Sequence, residues 1–301
     1  MNLNFDIDNV NVTEFGVGRD DDNGQTFIAI PVDVDVQKAL EEMVKQTWET
    51  MQADKEGPVR YEPSEKHAGT EYLFLPIDDD LSTSVRNLHQ AANLPIDSAA
   101  LDELATVFCY FVRLTDMNRC HLTALRRATQ FKGVLKSRLL RLVNDALKII
   151  EDRVFKLDSD FDLLIDSNFV QILRPSGFEF AGKLQEKILA AVPQNITSIQ
   201  NDLQFIDFTE IQDYAIKHPR AARYLASIQG LKETKNIDKS ALKKLCKSTG
   251  VDINDAKGRI EISPGHEMGF LEVLDRRRYE VELVKGVPER FKASSRRKLE
   301  N

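Results

Sequence analysis

Cysteine is scarce: the 301 residues contain three, Cys109, Cys120 and Cys246. So few and so unevenly spaced, they exclude a disulfide framework and a zinc site of paired thiolates. Glycine (14) and proline (10) show no period, which excludes collagen-like and low-complexity chains. No apolar run approaches the ~18–20 residues that cross a bilayer. Met1-Asn2-Leu3-Asn4-Phe5-Asp6 lacks a basic n-region and an apolar h-region, so a signal peptide is not expected. What is present is ordinary for a folded protein. Hydrophobic residues make up 42% and charged residues 30%, enough to bury a core. At about 150 residues per domain the length suggests two domains. A cytoplasmic protein of a reducing compartment is expected.

The net charge of −7 is unevenly spread. Residues 1–80 hold 19 acidic and 6 basic side chains, and residues 231–301 hold 12 and 17. Between Arg113 and Arg141 eight basic residues (Arg113, Arg119, Arg126, Arg127, Lys132, Lys136, Arg138, Arg141) face one acid, Asp116. Arg276, Arg277 and Arg278 are consecutive, and Arg296, Arg297 and Lys298 close the chain. Phosphate binding requires several cations within a Debye length, about 8 Å in physiological salt. These stretches are therefore the candidate polynucleotide contacts, with the lysines of 239–247 as a third face. The competing reading of each is a solvated basic surface. The acidic front could dock on a basic face of a partner.

Hydrophobic periodicity gives an α+β chain. An N-terminal mixed strand/helix unit, residues 1–95, precedes a β-hairpin-containing, helix-rich C-terminal domain, residues 96–301. Strands are expected at Phe5–Val12, Thr26–Ile30, Glu71–Pro76, Val107–Leu114 and His121–Ala128. Asp33 or Asp35 caps a helix running to Gln52, with Leu40, Met43, Val44, Trp48 and Met51 at helical spacing. Another helix covers 81–93, and a short one 98–104. Residues 134–150 fit either helix or strand. Asp166-Ser167-Asn168 turns a hairpin between Phe161–Ile165 and Phe169–Leu173. Ser176–Val192 reads as one helix; others follow from Thr197, Thr209, Pro219 and Lys239, with strands at 258–262, 279–283 and 289–292.

Catalytic chemistry finds little footing. Gly16-Val17-Gly18 lacks a third glycine opening a helix, so it reads as a turn rather than a phosphate cradle. His67, His89, His121, His218 and His266 have no partner at metal-ligand spacing, so no metal and no cofactor is expected. Cys109 and Cys120 could face each other across a hairpin, most simply as two buried thiols. Asp158, Asp160, Asp162 and Asp166 form the densest acidic set near apolar strands, the one feature that suits a metal-dependent nuclease. The Glu/Asp-x-Lys partners that such a fold uses, Glu233-Thr234-Lys235 and Asp255-Ala256-Lys257, lie in polar stretches. No Gly-x-Ser-x-Gly elbow occurs. No catalytic residue is assigned.

One ordered set of motifs carries a resemblance. Leu157-Asp158-Ser159-Asp160-Phe161-Asp162-Leu163-Leu164-Ile165-Asp166 leads into Phe169-Val170-Gln171-Ile172-Leu173 and Gly177-Phe178-Glu179. Gly269-Phe270-Leu271-Glu272-Val273-Leu274-Asp275-Arg276-Arg277-Arg278-Tyr279 follows, and the chain closes on Phe291-Lys292-Ala293-Ser294-Ser295-Arg296-Arg297-Lys298. This order resembles the KwaB-like proteins of the Kiwa anti-phage defence system, over about residues 105–299. The resemblance implies a cytoplasmic, dimeric DNA-binding protein. It would work with a multi-span membrane partner, KwaA, at the inner membrane, and interfere with phage DNA replication or expression. The expected DNA contacts are Arg126, Arg127, Lys132, Lys136, Arg138, Arg141, Arg276, Arg277, Arg278, Arg296, Arg297 and Lys298, made without sequence preference because no zinc finger or helix-turn-helix is evident. The non-enzymatic alternative is a protein-interaction adaptor.

Overall fold

Two stretches of β-rich sequence on either side of residue 95 join one sheet. In the computed structural model, which describes residues 3–21, 24–53, 57–67, 71–91, 93–97, 106–128, 140–143, 146–149, 155, 157–256 and 258–294, the chain divides into two units. The first is Met1–Tyr61 with Gly69–Lys183, the second Glu62–Ala68 with Leu184–Asn301. The boundary expected near residue 95 falls inside the first unit. The short helix expected at 98–104 lies outside the described residues.

The first unit contains β1 (Val10–Asp21), β2 (Gly24–Ile30), α1 (Val34–Gln52), β3 (Val59–Arg60), β4 (Leu73–Pro76), α2 (Thr83–Gln90), β5 (Val107–Asp116), β6 (His121–Arg127), β7 (Leu140–Val143), β8 (Ala146–Ile149), β9 (Leu163–Ile165), β10 (Phe169–Ile172) and α3 (Pro175–Ala181). Eight strands form one sheet in the order β2-β1-β5-β6-β9-β10-β4-β3, antiparallel except for β3 beside β4. β7 and β8 pair as a separate hairpin, so the ambiguous 134–150 stretch is β where it is described.

β5 is buried along nearly its whole length because both faces of the sheet are covered. Tyr110, Val112 and Leu114 point with Leu122 and Ala124 of β6 into a core shared with Leu40, Val44 and Met51 of α1. The alternate residues serve the other face: Arg113 and Thr123 bond to α2. Asp33 caps α1 by accepting from the Val36 amide at 2.9 Å. Gly16-Val17-Gly18 is not a turn. It lies mid-strand in β1, where a Cβ at Gly16 would strike the Phe111 ring and one at Gly18 the Cys109 sulfur. Asp116 makes the β5–β6 turn by accepting from the Asn118 and Cys120 amides at 2.8 and 2.9 Å. Register then pairs Cys109 with Arg127 and places Cys120 at the opposite end, so the two thiols do not face each other.

The second unit holds α4 (Leu184–Ala190), α5 (Val192–Asp202), α6 (Thr209–Lys217), α7 (Pro219–Gly230), α8 (Lys239–Ser248), β11 (Ile253–Ala256), β12 (Arg259–Ile262), α9 (Glu267–Leu274), β13 (Arg278–Val284) and β14 (Val287–Lys292). α7 packs against α4, α5, α6 and α9 and buries Ala222, Tyr224, Leu225 and Ile228. The helix expected over 176–192 is two, α3 and α4. Gly182 ends the first, and Lys183 turns the chain in the left-handed region with φ 48°.

Candidate functional site

The two basic clusters of the sequence sit in different units. In the first, Arg126 on β6 lies among three aspartates of the segment leading into β9. Its Nε donates to Asp158 at 3.1 Å, and its Nη1 to Asp162 at 2.8 Å and Asp160 at 3.3 Å. Asp158, Asp160 and Asp162 reach it from a bent segment that precedes β9. Arg174 adds bonds to Asp160 Oδ2 at 2.5 Å and to the Phe161 carbonyl at 3.0 Å. Asp162 also accepts from the Arg127 amide at 2.8 Å. Burial pushes the Asp162 carboxyl up, and the Arg127 amide, Arg126 and Arg174 pull the other way without cancelling it. Burial alone would lower the Arg126 guanidinium, but Asp162, Asp158 and Asp160 hold it above its ordinary value. Gly177 fits because a side chain there would occupy the space of Asp162.

Arg126 is thus consumed by carboxylates, and its side chain keeps 14% exposure. A phosphate there would have to compete with three ion pairs. Arg127 is half-buried, with its guanidinium 3.8 Å from the Phe180 ring centroid. Arg141 lies on β7 opposite Lys148 in the register. Lys132, Lys136 and Arg138 lie outside the described residues, as do Arg296, Arg297 and Lys298.

The Arg276–Arg278 triplet splits in three directions as α9 ends. Arg277 is fully buried. Its Nε donates to Asp275 at 2.5 Å, Nη1 to the Ser294 carbonyl and Nη2 to Ser64 Oγ, both at 2.7 Å. Arg278 donates to Glu272 at 3.1 Å and to the Thr249 carbonyl at 3.2 Å, and Lys292 shares Glu272. Only Arg276 of the three is exposed, in the left-handed region with φ 59°. On α8, Lys239 and Lys243 are both held by Asp255, at 2.8 and 2.7 Å, while Lys244 and Lys247 are exposed. Among the described residues no ion pair holds Lys244, Lys247 or Arg276.

Among the described residues the carboxylates singled out for a nuclease are engaged by other partners. Asp158, Asp160 and Asp162 bind arginines, and Asp166 accepts from the Asn168 and Phe169 amides and from Gln171. Asp255 lies on β11, a strand the sequence reading missed, but its partners are the two lysines. Among the described residues no three His, Cys, Asp or Glu side chains converge so as to hold a metal ion. Cys109 and Cys246 are buried, which drives both thiols up, Cys246 to about 12, so neither is a poised nucleophile.

A cleft of about 540 Å³ is lined by Glu14, His89, Arg113, Thr115 and His121 among others. Arg113 spends its guanidinium on the carbonyls that end α2, Leu88 at 2.6 Å and Ala91 at 2.9 Å. Burial, then the Arg113 charge, lowers His89 to about 4, so it is neutral at physiological pH.

Among the described residues no helix is long and apolar enough to cross a membrane. A family model described as "Kiwa protein KwaB-like" matches residues 104–283, more than half of the chain. No curated protein and no solved structure matches it.

Proposed function

The chain belongs to the Kiwa KwaB-like family, and so to anti-phage defence; from that premise we propose that it binds DNA largely without sequence preference through its second unit, beside a multi-span membrane partner of the KwaA type. The observation that carries this reading is how charge divides. The first unit holds 19 Lys and Arg against 29 Asp and Glu, the second 22 against 19. Within the second unit Lys244, Lys247 and Arg276 are exposed and outside any ion pair among the described residues. An acidic unit joined to a basic one avoids indiscriminate adhesion while keeping a local field for a polyanion. The sequence-predicted Arg296, Arg297 and Lys298 are among the 22.

Phosphate contacts of this kind give affinity without base readout. Gel shifts of the full chain with unrelated duplexes should give similar affinities that fall steeply with salt. Absence of a shift at low salt, or strong preference for one sequence, refutes the reading. The acidic unit suits the other partner, since cytoplasmic loops of membrane proteins carry excess Lys and Arg. Asp78, Asp79 and Asp80 stand together before α2. Co-purification of the full chain with the membrane protein should weaken in Asp78→Lys/Asp80→Lys, and an unchanged yield refutes docking through that face.

A further inference from the structure

Among the described residues β13 and β14 form a two-stranded sheet joined to no other strand. Its outer end is apolar and bare: Leu283 is 86% exposed, Val284 64% and Val287 54%. Tyr279 and Phe291 lie further back, also exposed, their rings stacked at 5.8 Å. A hairpin this small is seldom left with apolar residues in water unless something covers them.

One face of the hairpin is already used. Arg278 and Lys292 reach Glu272 of α9, and the Arg290 guanidinium lies against Gly250 beyond the end of α8. Alternation sends Tyr279 and Phe291 to the other face. The edges resist another strand: β13 carries Glu280 and Glu282, and β14 carries Pro288, which has no N–H. Two strands of this length offer roughly 200 Å², far below the ~800 Å² per partner of a stable dimer. A second copy seated on this face alone is therefore a poor occupant.

A lipid surface needs no such area. The turn between the strands is Lys285-Gly286, with Gly286 at φ 81°. Exposed Arg276 precedes β13, and exposed Lys244 and Lys247 lie on α8. Of the hairpin's three acids, Glu280 faces Arg290 at 3.8 Å and Glu282 accepts from the Gly286 amide at 2.5 Å, while Glu289 is exposed on β14. Aliphatic side chains and Lys285 at the tip, with an aromatic pair about four residues behind, match the layers of a bilayer interface. We infer that the β13–β14 tip is a peripheral membrane contact that inserts Leu283, Val284 and Val287 among anionic lipids. The inference does not depend on DNA binding or on a membrane protein partner.

Flotation of the full chain, free of DNA and partner, with vesicles of phosphatidylcholine plus phosphatidylglycerol tests it. The protein should float with these vesicles and much less with phosphatidylcholine alone. Leu283→Asp/Val287→Asp should cut the bound fraction roughly ten-fold, and Lys285→Glu roughly five-fold. These side chains face solvent, and unchanged thermal unfolding of the variants will verify that the fold is intact. No flotation of the wild type, or flotation unaffected by both variants, overturns the inference. Flotation only when the vesicles contain the membrane protein partner overturns it too, and makes the tip a protein-docking site.

Discussion

Arg277 donates from Nε to Asp275 Oδ2 at 2.5 Å, and neither side chain keeps any exposed surface. Asp275 also accepts from Ser227 at 2.7 Å, and Arg277 reaches both the 62–68 segment and the chain near Ser294. The pair is a clasp between the end of α9, the inserted segment of the second unit and its last described strand. Asp275→Ala strands a buried guanidinium and is expected to cost about 3–5 kcal/mol. Replacing both residues with apolar side chains of similar volume is expected to cost less. Urea midpoints of the two variants check this, and a loss under about 1 kcal/mol for Asp275→Ala would contradict it.

Arg126→Gln should behave as a stability variant. Removing its charge leaves Asp160 and Asp162 with Arg174 and Asp158 with the Tyr110 hydroxyl, at an expected cost of roughly 3 kcal/mol. At a temperature where the variant stays folded, its affinity for duplex DNA should match the wild type within about two-fold. A large loss of DNA affinity without loss of stability would return Arg126 to the phosphate-contact set.

His89 should give the fold a pH dependence whose sign follows from its burial. Its folded-state value is lowered to about 4, from an unfolded value near 6.5, by burial first and Arg113 second. Between these values the unfolded chain binds more protons. The contribution is therefore full above pH ~6.5 and is lost as pH falls towards ~4, by roughly 3 kcal/mol at most. His89→Gln keeps a polar partner for Thr123 and should flatten that part of a stability–pH curve. An unchanged slope between pH 4 and 6.5 would remove His89 as its source.

Gly177→Ala puts a methyl group where Asp162 sits. Displacing a buried carboxylate that accepts from the Arg126 guanidinium and the Arg127 amide costs more than ordinary overpacking, so a loss of about 2–3 kcal/mol is expected by thermal or urea unfolding. A neutral substitution would mean that the aspartate cluster adapts freely.

Much of the scaffold is legible in the sequence because its causes are local. Asp33 and the Leu40, Val44, Met51 spacing define α1, and Asp116 and Asp166 set two hairpins by bonding their own turns. The apolar run of β5 and the order of the helices in the second unit are equally readable. Other features depend on distant or backbone-specific events. Lys183 adopts a left-handed conformation that periodicity does not encode, so one expected helix is two. Gly16 and Gly18 are glycine because Phe111 and Cys109 of the neighbouring strand fill the space. β11 is polar in sequence and becomes a strand through β12. Contacts of the basic clusters are long-range in the same way. Arg126 finds its principal acid 36 residues away, and Arg277 finds Ser64 across 213. Counting neighbours in sequence registers the cations and misses their partners.

Salt dependence in the wild type and in Lys244→Ser/Lys247→Ser/Arg276→Ser gives the most direct test. Log affinity for a random duplex is measured against log salt for both proteins. If these three exposed cations meet phosphates, the variant's slope should be shallower by about 2–3, at about 0.9 for each phosphate that is no longer neutralised. Identical slopes for the two proteins would contradict the claim that the second unit's free cations carry the DNA contact.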